Sequence, residues 1–254
     1  MAEVDINLNT LSDKLKTTKV STRHYKTTRA TSDQEKRRKV SLANQRCKRS
    51  DLFDLRRQIE PLLKIEHEYT LMWSEWFQDV PQDFDTLWRM IICPNGKRSL
   101  IIAKSGVTKV YSRKGVLVNT FQSGLPGGNR SCYSGVTVLD AIFCRDQRTY
   151  FLLDIMTWNG HTLIECETEF RFYFLRAKLE ETMELTELSS TNQFIFTLLM
   201  NYPCQQDTLC AIMSHSVPYG IDGLLFYHLQ GHYTPGETPL VLWMTPNMSP
   251  DSIG

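Results

Sequence analysis

No apolar run in the 254 residues approaches the ~20 needed to cross a bilayer, so no membrane span is predicted. There is no Cys-x-x-Cys pair either. The seven cysteines stand apart at 47, 93, 132, 144, 166, 204 and 210, without the spacing of a zinc site or a disulfide framework. Reduced thiols in the cytosol or nucleus are the reading this leaves. The opening "MAEVDINLNTLSDKL" has acids where a secretory signal needs cations and an apolar core, so a soluble intracellular chain is expected. "SHSVPYG" lacks the flanked serine of a hydrolase elbow. His228 and His232 form an HxxxH without a third ligand nearby and read as a satisfied surface pair, while Glu165, Glu167 and Glu169 alternate as on a solvated strand face. Neither metal nor cofactor is expected.

What is present is charge of opposite sign in different places. The net charge of +1 hides −3 over residues 1–13, +10 over residues 14–60 and −6 over the remainder. A basic arm on a mildly acidic body implies that arm and body have different partners. Val4, Leu8, Leu11 and Leu15 recur at helical spacing and make one apolar stripe, either a docking helix or a frayed terminus. Ser32 and Glu35 form a capping box, and a cation-rich helix can run from Asp33 to Glu60, before Pro61. Its apolar residues are too sparse for a core helix, so it needs a complementary acidic partner to become ordered.

From about Ile65 the texture changes to short apolar runs between turn signals, among them "TLWRMIICP", "SLIIAKSG", "VTVLDAIFC", "TYFLLDIMTW", "DGLLFYH" and "PLVLWMTP". Their length and their β-branched and aromatic content predict strands. Helices are expected at 66–78, about 169–180 and about 206–214, and "LPGGNRS" at 125–131 reads as a glycine-hinged loop. The fold class is α+β with a mainly antiparallel β-sheet, preceded by a basic helical arm. Five tryptophans are many for such a body. Most tryptophans are core, and Trp88, inside an apolar run, is assigned there. Trp76 and Trp243 sit beside polar or turn residues and read as lining a site, since indole stacks well on a purine, above all a cationic one. Lys97, Arg98, Lys104, Lys109, Arg113, Lys114 and Arg130 place half of the body's fourteen cations within 34 residues, as a phosphate chain needs and as solvated strand edges also show.

The body resembles the nucleotidyltransferase fold of messenger-RNA capping enzymes (mRNA guanylyltransferase) and ligases. Where those carry K-x-D-G-x-R this chain reads C-P-N-G-K-R at 93–98, and "LLDIMTWNG", "DGLLFYH" and "LWMTP" are similar to their later motifs. Cys93 stands where a lysine would attack the α-phosphate, Asn95 where an aspartate would stand, and Leu242 and Met244 where the last motif has lysines. A thiol cannot form the phosphoramidate on which that chemistry rests, so the resemblance implies a nucleotide binder that is not an enzyme. An active nucleotidyltransferase using another lysine such as Lys97, or an RNA-binding protein acting through its basic arm, are the alternatives.

Over nearly its whole length the chain resembles the snurportin family, the nuclear import adaptors that bind the 2,2,7-trimethylguanosine cap of spliceosomal snRNAs. "LMWSEWFQDVP", "CPNGKRSLIIAKSG", "LPGGNR", "EFRFYF" and "DGLLFYHLQGHYTPGETPLVLW" carry the resemblance. It implies three parts: residues 1–22 with an export-signal-like stripe (Val4, Leu8, Leu11), an importin-β-binding arm at 23–64, and a cap-binding domain at 65–254. Trp243 matches the residue that stacks on the methylated guanine, and Trp76 one lying against the exocyclic methyl groups. Ser74 matches a hydrogen-bonding partner of the base, Lys97 and Arg98 meet the cap from the strand mouth, and Arg113 stands near the phosphates. Met244 flanks the stacking residue, and Trp73 stands where an aliphatic residue is expected. Arg37, Arg38, Lys39, Arg46, Lys48, Arg49, Arg56 and Arg57 would meet importin-β. The partners implied are a trimethylguanosine-capped snRNP, importin-β and an exportin, without a membrane, in a protein shuttling between cytoplasm and nucleus.

Overall fold

The turn at Asn95–Gly96 divides the body. The strand before it, β2 (Trp88–Pro94), lies in one sheet, and the strand after it, β3 (Lys97–Lys104), lies in another. Gly96 is needed there because a Cβ would come within 2.5 Å of Ile142 and 2.7 Å of the Phe143 carbonyl oxygen. The computed structural model describes residues 33–46, 70–205, 207–208 and 217–245. Helix α1 covers 33–46. There follow β1 (Met72–Trp76), α2 (Phe84–Leu87), β2 and β3, β4 (Val107–Ser112), β5 (Leu117–Phe121), β6 (Val136–Cys144), β7 (Thr149–Trp158) and β8 (His161–Thr162). The long helix α3 (Thr168–Glu181), β9 (Ile195–Leu198), β10 (Asn201–Pro203), β11 (Ile221–His228) and β12 (Gly236–Met244) come after these.

The smaller sheet has the order β1-β12-β11-β2-β10, and the larger one β5-β4-β3-β6-β7-β8 with β9 also beside β7. The pairings are antiparallel except β1 with β12 and β7 with β9. The fold is therefore α+β and mainly antiparallel, as expected. Between the sheets lies a core to which the smaller sheet gives Ile91, Cys93, Leu225, Tyr227 and Val241, and the larger gives Leu100, Val138, Ile142, Phe151 and Leu153. The outer face of the larger sheet is closed by α3 through Leu175 and Leu179. The outer face of the smaller sheet carries Trp88, Met90, Phe226 and Leu242. Strand β7, covered on both faces, is buried along all ten residues. A register shift near Asp154 rotates it, and Asp154 takes a bidentate ion pair from Arg171 of α3, with both contacts at 2.8 Å.

Three local expectations are corrected. Residues 66–78 are not one helix, because 72–76 form β1, pairing in parallel with β12. The near-helical recurrence of Met72, Trp73, Trp76 and Phe77 has another cause. Alternation along the strand already points Met72 to the inner core and Phe77 to the outer one, and the register shift between Ser74 and Glu75 lets Trp73 pack inward while Glu75 faces α1. Loop 125–131 is locked rather than hinged, since a Cβ on Gly127 would sit 2.5 Å from the Gly135 carbonyl oxygen. The Glu165–Glu169 stretch is not a strand face. Glu167 stands at the N-terminal boundary of α3 and Glu169 in its first turn, where the helix dipole favours acids. The expected helix at 169–180 is α3. Of 206–214 only 207 and 208 are described, both helical. The stripe at Val4, Leu8 and Leu11, the cap Ser32, and Lys48, Arg49, Arg56 and Arg57 lie outside the described residues. No described helix is long and apolar enough to cross a membrane.

Candidate functional site

Strands β1, β12 and β11 place an aromatic platform at the mouth between the sheets. Trp243 pairs with Leu225 of β11 on one side and Trp76 of β1 on the other. Its indole lies against Gly223, where a Cβ would stand 2.4 Å from the ring, so glycine there is the condition for the ring to take this place. Gly223 in turn pairs with Cys93 of β2, so the platform ends beside that residue. Trp243 is partly buried against the inner core, whereas Trp76 leaves 55% of its surface open. Large apolar side chains so exposed on a rigid strand are available to a ligand.

The opposite wall comes from the larger sheet. Arg113, just beyond β4, lays its guanidinium over the Trp73 ring at 3.7 Å from the centroid. This cation–π contact joins the two sheets and explains the tryptophan where an aliphatic residue is expected. Lys97 is exposed at the head of β3. Ser74 is half-buried in β1, paired with Thr238.

Two predicted residues are placed differently. Arg98 donates from Nε and Nη2 to Asp140 at 3.0 and 2.7 Å, and Asp140 also accepts from the Tyr233 hydroxyl at 2.9 Å. Burial works against the Arg98 charge, but Asp140 outweighs it and holds the guanidinium well above its ordinary pKa. Arg98 is thus a strut between strands, with Nε and Nη2 committed to Asp140. Met244 packs against the outer core, on the face of the sheet away from Trp243.

Cys93 is buried, with its Sγ 3.9 Å from the Ile91 carbonyl oxygen. Burial pushes this thiol far up from its ordinary range, only partly offset by Arg98, which disfavours a thiolate there. Two hydrogen bonds tie the neighbouring turn to the segment before β11. Asn95 donates its N–H to the Gly220 carbonyl at 2.7 Å, and the Tyr219 hydroxyl donates to the Ile92 carbonyl at 3.2 Å. Among the described residues no group of three or more His, Cys, Asp or Glu is arranged to hold a metal. The HxxxH pair is divided. His228 is buried rather than at the surface, facing Asp83 at 3.2 Å, and His232 is engaged through its backbone N–H with Gln45.

Helix α1 packs on the outer face of the smaller sheet. Arg37 forms a bidentate pair with Glu75, with Nη2 to Oε2 at 3.0 Å, and Gln34 donates to Glu75 Oε2 at 2.7 Å. Arg38, only 3% exposed, sits 4.8 Å from the Trp88 ring centroid and donates Nε–H to the Pro239 carbonyl at 3.2 Å. Arg46 reaches Gln230 at 3.3 Å, and Lys39 stays exposed beside Glu35. Sequence reasoning missed Glu75 and Gly223. The signal for the first was an acid amid the aromatics of "MWSEW", and for the second a glycine inside a strand.

Compared with known proteins, residues 70–246 match the family description "Snurportin1, m3G cap-binding domain", and residues 23–58 match "Snurportin1". Among solved structures, a mycobacterial DNA ligase D complexed with ATP and MES is similar at 14% identity with a TM-score of 0.49. The match takes in 69% of this chain and 60% of that one. The ligase domain of M. tuberculosis LigD is similar at 14% identity and a TM-score of 0.47, over 69% and 58% of the two chains. The chain thus spans somewhat under two thirds of the length of these ligases.

Proposed function

The chain belongs to the snurportin family, and on that premise we propose that it binds the 2,2,7-trimethylguanosine cap of small nuclear RNAs as a non-catalytic import adaptor. The observation that carries this is Trp243 spread over Gly223, in register with the exposed Trp76. Methylation of the guanine ring makes it cationic, and a cationic base on an indole gains roughly 1–2 kcal/mol from cation–π attraction. Trp76 offers apolar surface where exocyclic methyl groups would lie, which a hydrogen-bonding amine would not favour. Ser74 supplies a hydroxyl near the base, and Lys97 and Arg113 face the phosphate bridge from the larger sheet. Arg113, fixed on Trp73, reaches the phosphates with little side-chain entropy left to lose.

The buried, protonated Cys93 supports a cradle without a nucleophile. In the family's manner the arm at 23–64 takes the capped ribonucleoprotein to importin-β, and the N-terminal stripe meets an exportin, so that the protein shuttles between cytoplasm and nucleus. Replacing Trp243 by Ala should cost about 1–3 kcal/mol of cap affinity in a fluorescence-quenching titration, the range for one base–aromatic stack. Unchanged affinity contradicts the platform. Incubation with labelled GTP or ATP and magnesium should give no covalent protein–nucleotide adduct, and an acid-labile adduct reverses the non-catalytic reading.

A further inference from the structure

The basic arm needs an acidic partner to fold, yet its helix is already folded over 33–46 against its own body. The contact is polar and specific. Glu75 is buried and takes three donors, two from Arg37 and one from Gln34, which also reaches the Trp76 carbonyl at 3.3 Å. Its pairing with Glu75 holds Arg37 above its ordinary pKa. Four residues' worth of surface around Trp88 receives Arg38: the indole, the Pro239 carbonyl, and Asp83 with His228 behind. Trp88 itself has no exposed surface and is fixed by Asp83, which accepts from its indole N–H at 3.0 Å, and by the edge of the His228 ring at 5.2 Å. Further along α1, Arg46 and Gln45 meet Gln230 and the His232 amide. The body thus presents an acid, an aromatic seat and carbonyl acceptors spaced to fit one basic helix.

We propose that this outer face is a second binding site of the cap domain, specific for the arm helix of the same chain, and that it competes with importin-β for that helix. The inference rests on the reading of the arm given above. Docking occupies Arg37 and Arg38 but leaves Lys36 and Lys39 exposed. A receptor can therefore make first contact through the exposed lysines and then pull the helix from Glu75 and Trp88. Because only the undocked fraction is competent, docking raises the receptor's apparent Kd by the inverse of that fraction.

The test uses the full chain and two variants on opposite sides of the contact, Glu75→Gln in the body and Gln34→Ala in the arm, neither of which removes an arm cation. Cap titration serves to show that each variant is folded. Amide hydrogen exchange over 37–46 should speed up about tenfold or more in both, as expected when a docked helix is released. Affinity for purified importin-β should rise roughly fivefold to tenfold, within the usual range of coupling between sites. Unchanged exchange in both variants overturns the docking site. Faster exchange with unchanged receptor affinity overturns the competition. If no chain binds importin-β at all, the import reading fails, the competition fails with it, and exchange alone decides whether the face holds the arm.

Discussion

Two guanidinium–indole pairs occupy opposite faces of one sheet. Arg113 lies over Trp73 at the open mouth, 3.7 Å from the ring centroid, and Arg38 lies over Trp88 at 4.8 Å, sealed from solvent. The attraction is the same, but the environment gives it different work. Arg113 is exposed, so its outward N–H groups stay free for a phosphate chain. Arg38 has lost its water to the Trp88 seat, and burial lowers its pKa despite the neighbouring Glu35 and Asp83. Its donors go to Pro239 and Glu35, and its role is to hold a helix. Strand β1 serves both sides, with Trp73 on the inner core and Glu75 on the arm.

Removing each indole in turn sharpens the comparison. Trp88→Ala should give the largest effect, a loss of about 3–5 kcal/mol of stability in urea unfolding, as for other fully buried large side chains. The same chain should also show faster proteolysis of the arm. Trp73→Leu should cost less, about 1–2 kcal/mol, because Trp73 is only partly buried and leucine keeps some of its cover of the inner core. It should instead weaken binding of a triphosphate-bridged cap analogue by about 0.5–1 kcal/mol, the worth of an exposed cation–π contact, and spare the methylated nucleoside. Equal losses for both ligands would mean that Trp73 meets the base rather than positioning Arg113.

A pH series separates the faces without mutation. Burial holds His228 below its ordinary pKa, opposed by Asp83 and reinforced by Arg38. The neutral ring suits its contacts, with Nδ1 accepting the Gln230 N–H at 3.2 Å and Nε2 facing Asp83. The unfolded chain therefore takes up a proton at about pH 6.5 that the folded chain refuses, and stability falls as pH drops below that point. Burial pushes the Asp83 carboxyl up, but the Trp88 N–H and His228 outweigh it and hold it below the usual range, so its share is lost later, below about pH 3.8. His228→Gln should flatten the first segment of a urea-midpoint profile. A slope that survives the substitution assigns the effect elsewhere. The smallest change expected is Arg46→Ala, within about 0.5 kcal/mol, since that contact with Gln230 is exposed.

The strands, the core place of Trp88 and the exposed place of Trp76 were legible because each depends on local pattern and composition. What was not legible depends on partners distant in the chain. Arg98 meets Asp140 from 42 residues away, and nothing in "NGKRS" announces that pairing. The helical reading of 66–78 lost to parallel pairing with β12, a tertiary choice that overrides local preference. The arm's need for an acidic partner was readable from its composition. That the body offers one in Glu75 was not, because a single acid between aromatics has no local meaning until α1 lies on it.

Everything proposed for the cap site turns on recognition of a methylated, cationic guanine by the Trp243–Trp76 platform. Its most direct measurement is a fluorescence-quenching titration of the full chain with trimethylguanosine, monomethylguanosine and unmethylated caps under one salt condition. Affinity should fall in that order, with the unmethylated cap losing the roughly 1–2 kcal/mol of cation–π attraction. Equal affinity for all three caps would contradict it.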